Sequence, residues 1–111
     1  MDLLAKKEGN CTVVYPGQRM DAVSAPEFEK KIGEMIDGGE KNFVLNFKDL
    51  EYVSSAGLRS VLSSAKRAKA KGGDIMLCEM KGSAEEVFKM TGFFNIFKVF
   101  ASEAEAVTKF V

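Results

Sequence analysis

Leu50-Glu51-Tyr52-Val53-Ser54-Ser55-Ala56-Gly57-Leu58-Arg59 joins a short apolar strand to an amphipathic helix, and its reading decides the fold. Two hydroxyls and a glycine fall where that helix begins. The first N–H groups of a helix lack intrahelical partners and carry partial positive charge, so this terminus favours an anion. Serine is also among the best N-cap residues, contributing about 1 kcal/mol there relative to alanine. Two readings therefore stand for Ser54 and Ser55. They are plain helix caps, or they are hydroxyls on which an added phosphate would rest in a favourable field.

Downstream of this junction, Leu58, Val61, Leu62, Ala65 and Ala68 form a buried stripe at helical spacing. Arg59, Ser60, Ser63, Lys66, Arg67 and Lys71 fall mostly on the other side. The helix is expected from about Ala56 to Lys71 and is stopped by Gly72-Gly73, after which Asp74-Ile75-Met76-Leu77-Cys78 reads as a strand. Upstream, Asn42-Phe43-Val44-Leu45-Asn46-Phe47 is a short apolar strand of central character. Strand, helix, strand in this order implies a parallel pair joined by a right-handed crossover.

Further out, Leu3–Lys7 and Cys11–Tyr15 read as two strands of an antiparallel hairpin around Glu8-Gly9-Asn10. Gln18–Val23 reads as a loop. Ser24-Ala25-Pro26-Glu27 has the capping-box pattern and opens a helix with Phe28, Ile32, Met35 and Ile36 on one face, ended by Asp37-Gly38-Gly39. Ser83-Ala84-Glu85-Glu86 and Ser102-Glu103-Ala104-Glu105 repeat that pattern. The first opens a short helix closed by Gly92, the second a last helix with Val107 and Phe110 inward. A short strand is expected between them, near Phe97-Lys98-Val99. The resulting class is α/β: one mixed sheet, an N-terminal antiparallel hairpin plus parallel strands, with about four helices packed largely on one side. No repeat, linker or low-complexity segment divides the chain, so a single domain over 1–111 is expected.

Composition narrows the function. The 111 residues carry 16 basic and 16 acidic side chains, which argues against a dedicated nucleic-acid binder with its basic surface. No apolar run approaches the ~20 residues of a membrane span, and the start Met1-Asp2-Leu3-Leu4-Ala5-Lys6-Lys7 does not read as a leader, so a cytoplasmic protein without membrane insertion is expected. There is no histidine, which removes the commonest general base and metal ligand. Gly17 and Gly38-Gly39 lack the lysine and spacing of a phosphate-binding loop. Neither a catalytic residue, a cofactor nor a metal site is expected. Cys11 and Cys78 read as buried free thiols, a disulfide requiring that their strands be neighbours.

The junction Val53-Ser54-Ser55-Ala56-Gly57-Leu58-Arg59, with Arg19-Met20-Asp21-Ala22 before the first helix, Phe43-Val44-Leu45-Asn46-Phe47 leading to Leu50, Gly72-Gly73-Asp74 and Thr91-Gly92-Phe93, resembles the STAS domain over nearly the whole chain. More narrowly, the chain resembles the bacterial anti-sigma factor antagonists. In that family the junction usually reads Asp-Ser-(Ser/Thr/Ala)-Gly-Leu, and the serine after the aspartate is phosphorylated by an anti-sigma factor that is also a serine kinase of the GHKL type. The unphosphorylated antagonist binds this partner and releases sigma factor, and a phosphatase of the PP2C type restores that form. The resemblance implies a non-enzymatic switch with Ser55 as phosphoacceptor and a partner surface of Asp21, Ser54, Ser55, Ala56, Gly57 and Arg59; a monomer is the default expectation for the free protein. Ser54 stands where the family has aspartate. That departure favours an alternative, a STAS scaffold subunit of a stress-signalling or transporter-associated complex.

Bland readings stand beside these. Asp21 is equally a helix lead-in, and Arg59 equally a solvated residue. Met20 beside them reads as packing. Lys66, Arg67, Lys69 and Lys71 suit a helix C-terminus, or else an anionic partner. Of the adjacent pair Phe93-Phe94, one is expected to face out.

Overall fold

Alternation along each strand sets the sheet. The computed structural model describes residues 3–110; Met1, Asp2 and Val111, the ends of the expected domain and part of the leader reading, lie outside the described residues. In chain order the elements are β1 (Leu4–Glu8), β2 (Cys11–Tyr15), β3 (Arg19–Met20), α1 (Ser24–Asp37), β4 (Asn42–Asn46), β5 (Tyr52–Val53), α2 (Ser55–Ala70), β6 (Asp74–Cys78), α3 (Gly82–Met90), α4 (Phe93–Ile96), β7 (Val99–Phe100) and α5 (Glu103–Thr108).

Five strands form one sheet in the order β1-β2-β4-β6-β7. Only β1 and β2 are antiparallel, paired from Leu4↔Tyr15 to Glu8↔Cys11. Their turn uses Gly9 at φ +57°, a region open to glycine without a Cβ penalty. The remaining pairs are parallel, with Val13↔Val44 and Val44↔Met76 placing β4 at the centre. Phe43 and Leu45 of β4, with Ile75 and Leu77 of β6, face a core filled by Phe28, Ile32 and Ile36 of α1, Val61, Ala65 and Ala68 of α2, Phe88 of α3 and Phe93 of α4. Val44 faces the other way, into a smaller cluster with Cys11, Val13, Cys78 and Ala106 of α5. Four helices thus cover one face and α5 the other.

The expected mixed sheet, hairpin and parallel crossovers hold, and five helices replace about four. The first strand is shifted by one residue, to Leu4–Glu8. The segment Gln18–Val23 is not wholly loop: β3 pairs in parallel with β5, Arg19↔Tyr52 and Met20↔Val53, in a second small sheet. Two residues per strand are too few for any period to show. The Phe94–Phe100 stretch contains α4 before β7, because Gly92 at φ +80° turns the chain and Phe97 N–H closes onto the Phe93 carbonyl.

Two of the three capping boxes are corrected. At α1 the turn already begins at Asp21, whose Oδ1 accepts from the N–H groups of Val23 and Ser24, both at 3.0 Å. Ser24 is therefore inside the first turn and caps nothing further along. Ser83 gives its hydroxyl to the Glu51 carbonyl instead, at 3.3 Å. At α5 the serine half of the box forms as expected, Ser102 Oγ accepting from Glu105 N–H at 3.2 Å, while Glu105 Oε1 takes the Ser102 hydroxyl, also at 3.2 Å, in place of a backbone N–H. On α2, Ser60 is buried rather than outward, its hydroxyl satisfied by the Gly57 carbonyl at 2.6 Å, while Leu58 and Leu62 are half-buried on the flank. Small residues suit that face, which packs against α1.

Cys11 and Cys78 are both buried and free, as expected. Their strands are not neighbours, since β4 lies between them. Of Phe93 and Phe94, Phe93 points inward and Phe94 is half-buried beneath Lys89. Among the described residues, no helix is long and apolar enough to cross a membrane.

Candidate functional site

The start of α2 is fixed from its own sequence. Ser54 is extended, with φ −97° and ψ 175°, and its Oγ accepts from Gly57 N–H at 3.3 Å while its carbonyl takes Leu58 N–H at 2.9 Å. Ser54 is thus the N-cap and Ser55 the first helical residue. Ser55 is exposed, and its hydroxyl has no partner among the described residues. We predict that Ser54→Ala costs about 1 kcal/mol of stability in urea denaturation, through the orphaned Gly57 N–H.

The β3–β5 pairing brings the second half of the site alongside. Ser54 N–H donates to the Met20 carbonyl at 2.8 Å, and Gln18 O accepts from Glu51 and Tyr52 N–H groups. Continued by one position, that register sets Asp21 beside Ser54. Gly57 lies buried under Met20, with no room for a Cβ. It shapes the site from inside rather than offering surface. Ala56 is half-buried and Arg59 is exposed one turn on, over a shallow cleft with Glu29, Leu62, Ser63 and Lys66. The structure therefore groups Asp21, Ser54, Ser55 and Ala56 at one end of the molecule, with Gly57 beneath and Arg59 along the helix.

Asp21 unites its two readings. It caps α1, and its carboxyl is held below the ordinary range, first by Ser24 N–H, then, against slight burial, by the Arg19 guanidinium and Val23 N–H. The positive ends of α1 and α2 consequently meet at this end of the molecule, one closed by a carboxylate and the other by a hydroxyl. Arg19 is the residue that sequence reasoning left out. It pairs with Asp21 at 3.2 Å and lies over the Tyr52 ring at 4.6 Å. Its signal was present in Arg19-Met20-Asp21-Ala22, but the stacking partner lies across a strand pair too short to foresee. Val23 (81% exposed), beside Asp21, and Tyr52 (46%), under the Arg19 guanidinium, add apolar area at this end. A patch with apolar area, both signs of charge and a free hydroxyl suits protein docking.

The charged groups also set a pH profile. Glu40 is held low by Lys7, and Glu103, despite burial, by Tyr15, Lys6 and Asn46. These carboxyls and Asp21 are more acidic folded than unfolded. Their contribution is present above their unfolded values and is lost as pH falls through the folded ones. Burial pushes Cys11, Cys78 and Tyr15 the other way, so their contribution is present below their unfolded values and lost as pH rises past the folded ones. With no histidine in the chain, the melting temperature is expected to be flat between about pH 5 and 8 and to fall below about pH 4. A scan by circular dichroism checks this; a step near pH 6.5 would contradict it.

Residues 2–106 match the STAS domain family. BtrV of Bordetella bronchiseptica, provisionally named an anti-sigma factor antagonist, is 38% identical over 91 residues, covering 82% of this chain and 78% of BtrV. Among solved structures, a protein of Thermotoga maritima with the same provisional name superposes with a TM-score of 0.91 at 20% identity, covering 97% of this chain and 93% of that one. The anti-sigma factor antagonist SpoIIAA of Bacillus superposes in its unphosphorylated form with a TM-score of 0.83 at 21% identity, over 97% and 95%. Its phosphorylated form gives 0.75 at 20%, over 97% and 98%. These likenesses establish the fold.

Proposed function

The chain belongs to the STAS domain family, and from that premise we propose that it is an anti-sigma factor antagonist whose docking is switched off by a phosphate on Ser55. It acts by binding, without catalysis of its own. Its partner is an anti-sigma factor that is also a serine kinase of the GHKL type, which supplies the ATP site, and a phosphatase of the PP2C type resets the switch. The setting is the cytoplasm, where sigma factors work, and the free protein is a monomer.

The observation that carries this reading is the exposed Ser55 hydroxyl, without a partner among the described residues, at the first helical position of α2 and next to the Ser54 that β3 holds beside Asp21. A kinase can reach it without unfolding anything. The phosphate adds about −1.5 to −2 charge, and the helix terminus accepts that charge, so the fold is kept. A partner seated over Tyr52, Val23 and Ser55 then meets a dianion instead of a neutral hydroxyl, and its acidic or apolar groups are repelled. Ser54 in the usual aspartate position preserves the cap, since both residues accept from a helix N–H.

The direct test is incubation with the cognate kinase and ATP, read by intact mass and peptide mapping. One phosphate on Ser55, absent in Ser55→Ala, is expected. Phosphate retained in Ser55→Ala removes the assignment. The scaffold reading is favoured by Ser54 alone. It requires the protein to elute from native lysate in a stable large assembly, whereas the switch requires a small complex that dissolves with phosphorylation.

A further inference from the structure

The face of the sheet away from the site is closed by one short helix. α5 has six residues, too few to be stable alone. Only Ala106 is fully buried; Val107 and Phe110 pack partly against the cluster. Its hold is mainly polar and concentrated at its first turn. Glu103 Oε1 accepts from Tyr15 hydroxyl and from Asn46 Nδ2 (3.0 Å), and Oε2 pairs with Lys6 at 3.0 Å. Glu79 Oε2 accepts from Asn46 Nδ2 at 3.1 Å and from Glu103 N–H at 3.0 Å. Glu79 takes φ +57°, the one non-glycine among the described residues at positive φ. That backbone is unfavourable for a side-chain-bearing residue and needs support from its surroundings. The clamp therefore ties α5 to β1, β2, β4 and the segment after β6.

Beneath α5 lie Cys11 and Cys78, each fully buried, on β2 and β6. β4 lies between them, and the register sets Cys11 level with Asn42 but Cys78 level with Asn46, so they stand two strand spacings apart across the sheet and four residues apart along it, roughly 16 Å, beyond the reach of a disulfide. They cannot close onto each other, so each thiol reacts singly.

We infer that α5 is a latch clamped by Glu79 and Glu103, and that its opening exposes Cys11 and Cys78 as two gated modification sites for low-molecular-weight disulfides. The reaction is thiol–disulfide exchange. The cysteine loses its proton to solvent, the thiolate attacks one sulfur, the reagent's S–S bond breaks, and the other sulfur leaves as a thiolate while the protein keeps a mixed disulfide. Closed, the thiols are doubly protected, because burial also raises both pKa values, that of Cys78 to about 12. Open, they return to the ordinary range.

The test is labelling with dithiodipyridine, followed by intact mass and peptide mapping, on wild type, Glu103→Ala, the milder Lys6→Met, and Ile32→Val in the opposite core. Wild type is expected to label slowly at both cysteines with one shared rate, insensitive to low urea. Lys6→Met accelerates both and Glu103→Ala accelerates both by about tenfold or more, the loss of a charged clamp. Ile32→Val, which lowers only global stability, leaves the rates unchanged. If labelling follows the urea dependence of global unfolding, or Ile32→Val accelerates it as much as Lys6→Met, the latch is refuted, whether or not Glu103→Ala folds.

Discussion

Phe88→Ala is expected to lower the stability of the protein by about 3–5 kcal/mol. The Phe88 ring is fully buried. It packs against Phe47 at 5.3 Å between centroids and edge-on against Phe93 at 5.3 Å, and Phe93 in turn stacks on Phe97 at 5.7 Å. These rings come from the end of the central strand, from α3 and from α4, so no single movement of one element can fill the space left by the lost ring. The transfer cost and the cavity cost therefore add. Urea denaturation followed by circular dichroism reads the effect as a lower midpoint at constant slope. A loss under about 1 kcal/mol would mean that this side of the core collapses freely and that the aromatic row does not hold α3 and α4 on the sheet.

Gly57→Ala inverts an ordinary rule. Inside a helix, glycine to alanine normally stabilises by about 1 kcal/mol. Here the added Cβ would overlap the Met20 carbonyl oxygen and come within 2.8 Å of Met20 Cβ. Backbone cannot swing aside as a flexible side chain can. The variant is expected to lose about 1–3 kcal/mol, the range for overpacking. The strain falls on the bond from Ser54 N–H to Met20 O, so β3 is pushed from β5 and Arg19 from the Tyr52 ring. Partner binding should weaken as well, although Gly57 itself is buried. Gly39→Ala is not a fair control, since Gly39 sits at φ +109°; Ala70→Gly, at the exposed end of α2, gives the ordinary propensity effect for comparison. A Gly57→Ala variant as stable as wild type would show that α2 and β3 are not in close contact.

How far the sequence reaches can be seen in these residues. The start of α2 was legible because three signals coincide there: serine before an apolar stripe, a glycine in the first turn and a short apolar strand ahead of it. The central β4, the hairpin and the Ser102 cap were legible for the same reason, each being set by residues within a few positions. Ser24 and Ser83 misled because a capping box describes only what a serine can reach locally. Asp21 had already turned the chain at α1, and the Glu51 carbonyl outcompeted the helix for Ser83. The β3–β5 pair was illegible because two residues carry no period, and it is this pair that sets Arg19 opposite Tyr52 and Asp21 beside Ser54. The Phe93–Ile96 turn was missed because aromatic residues suggest a strand by propensity, whereas the burial of Phe93 between Phe88 and Phe97 decides for a helix. The α5 clamp joins five separate segments and could not have been read from any one of them.

One equilibrium measurement goes to the heart of the switch: the affinity of the anti-sigma partner for the unmodified protein and for the protein phosphorylated stoichiometrically on Ser55, with the circular dichroism spectrum and melting curve of both forms taken alongside. The account predicts superimposable spectra and a loss of at least about 100-fold in affinity, close to 3 kcal/mol. Equal affinities, or a phosphorylated form that loses its fold, would contradict it.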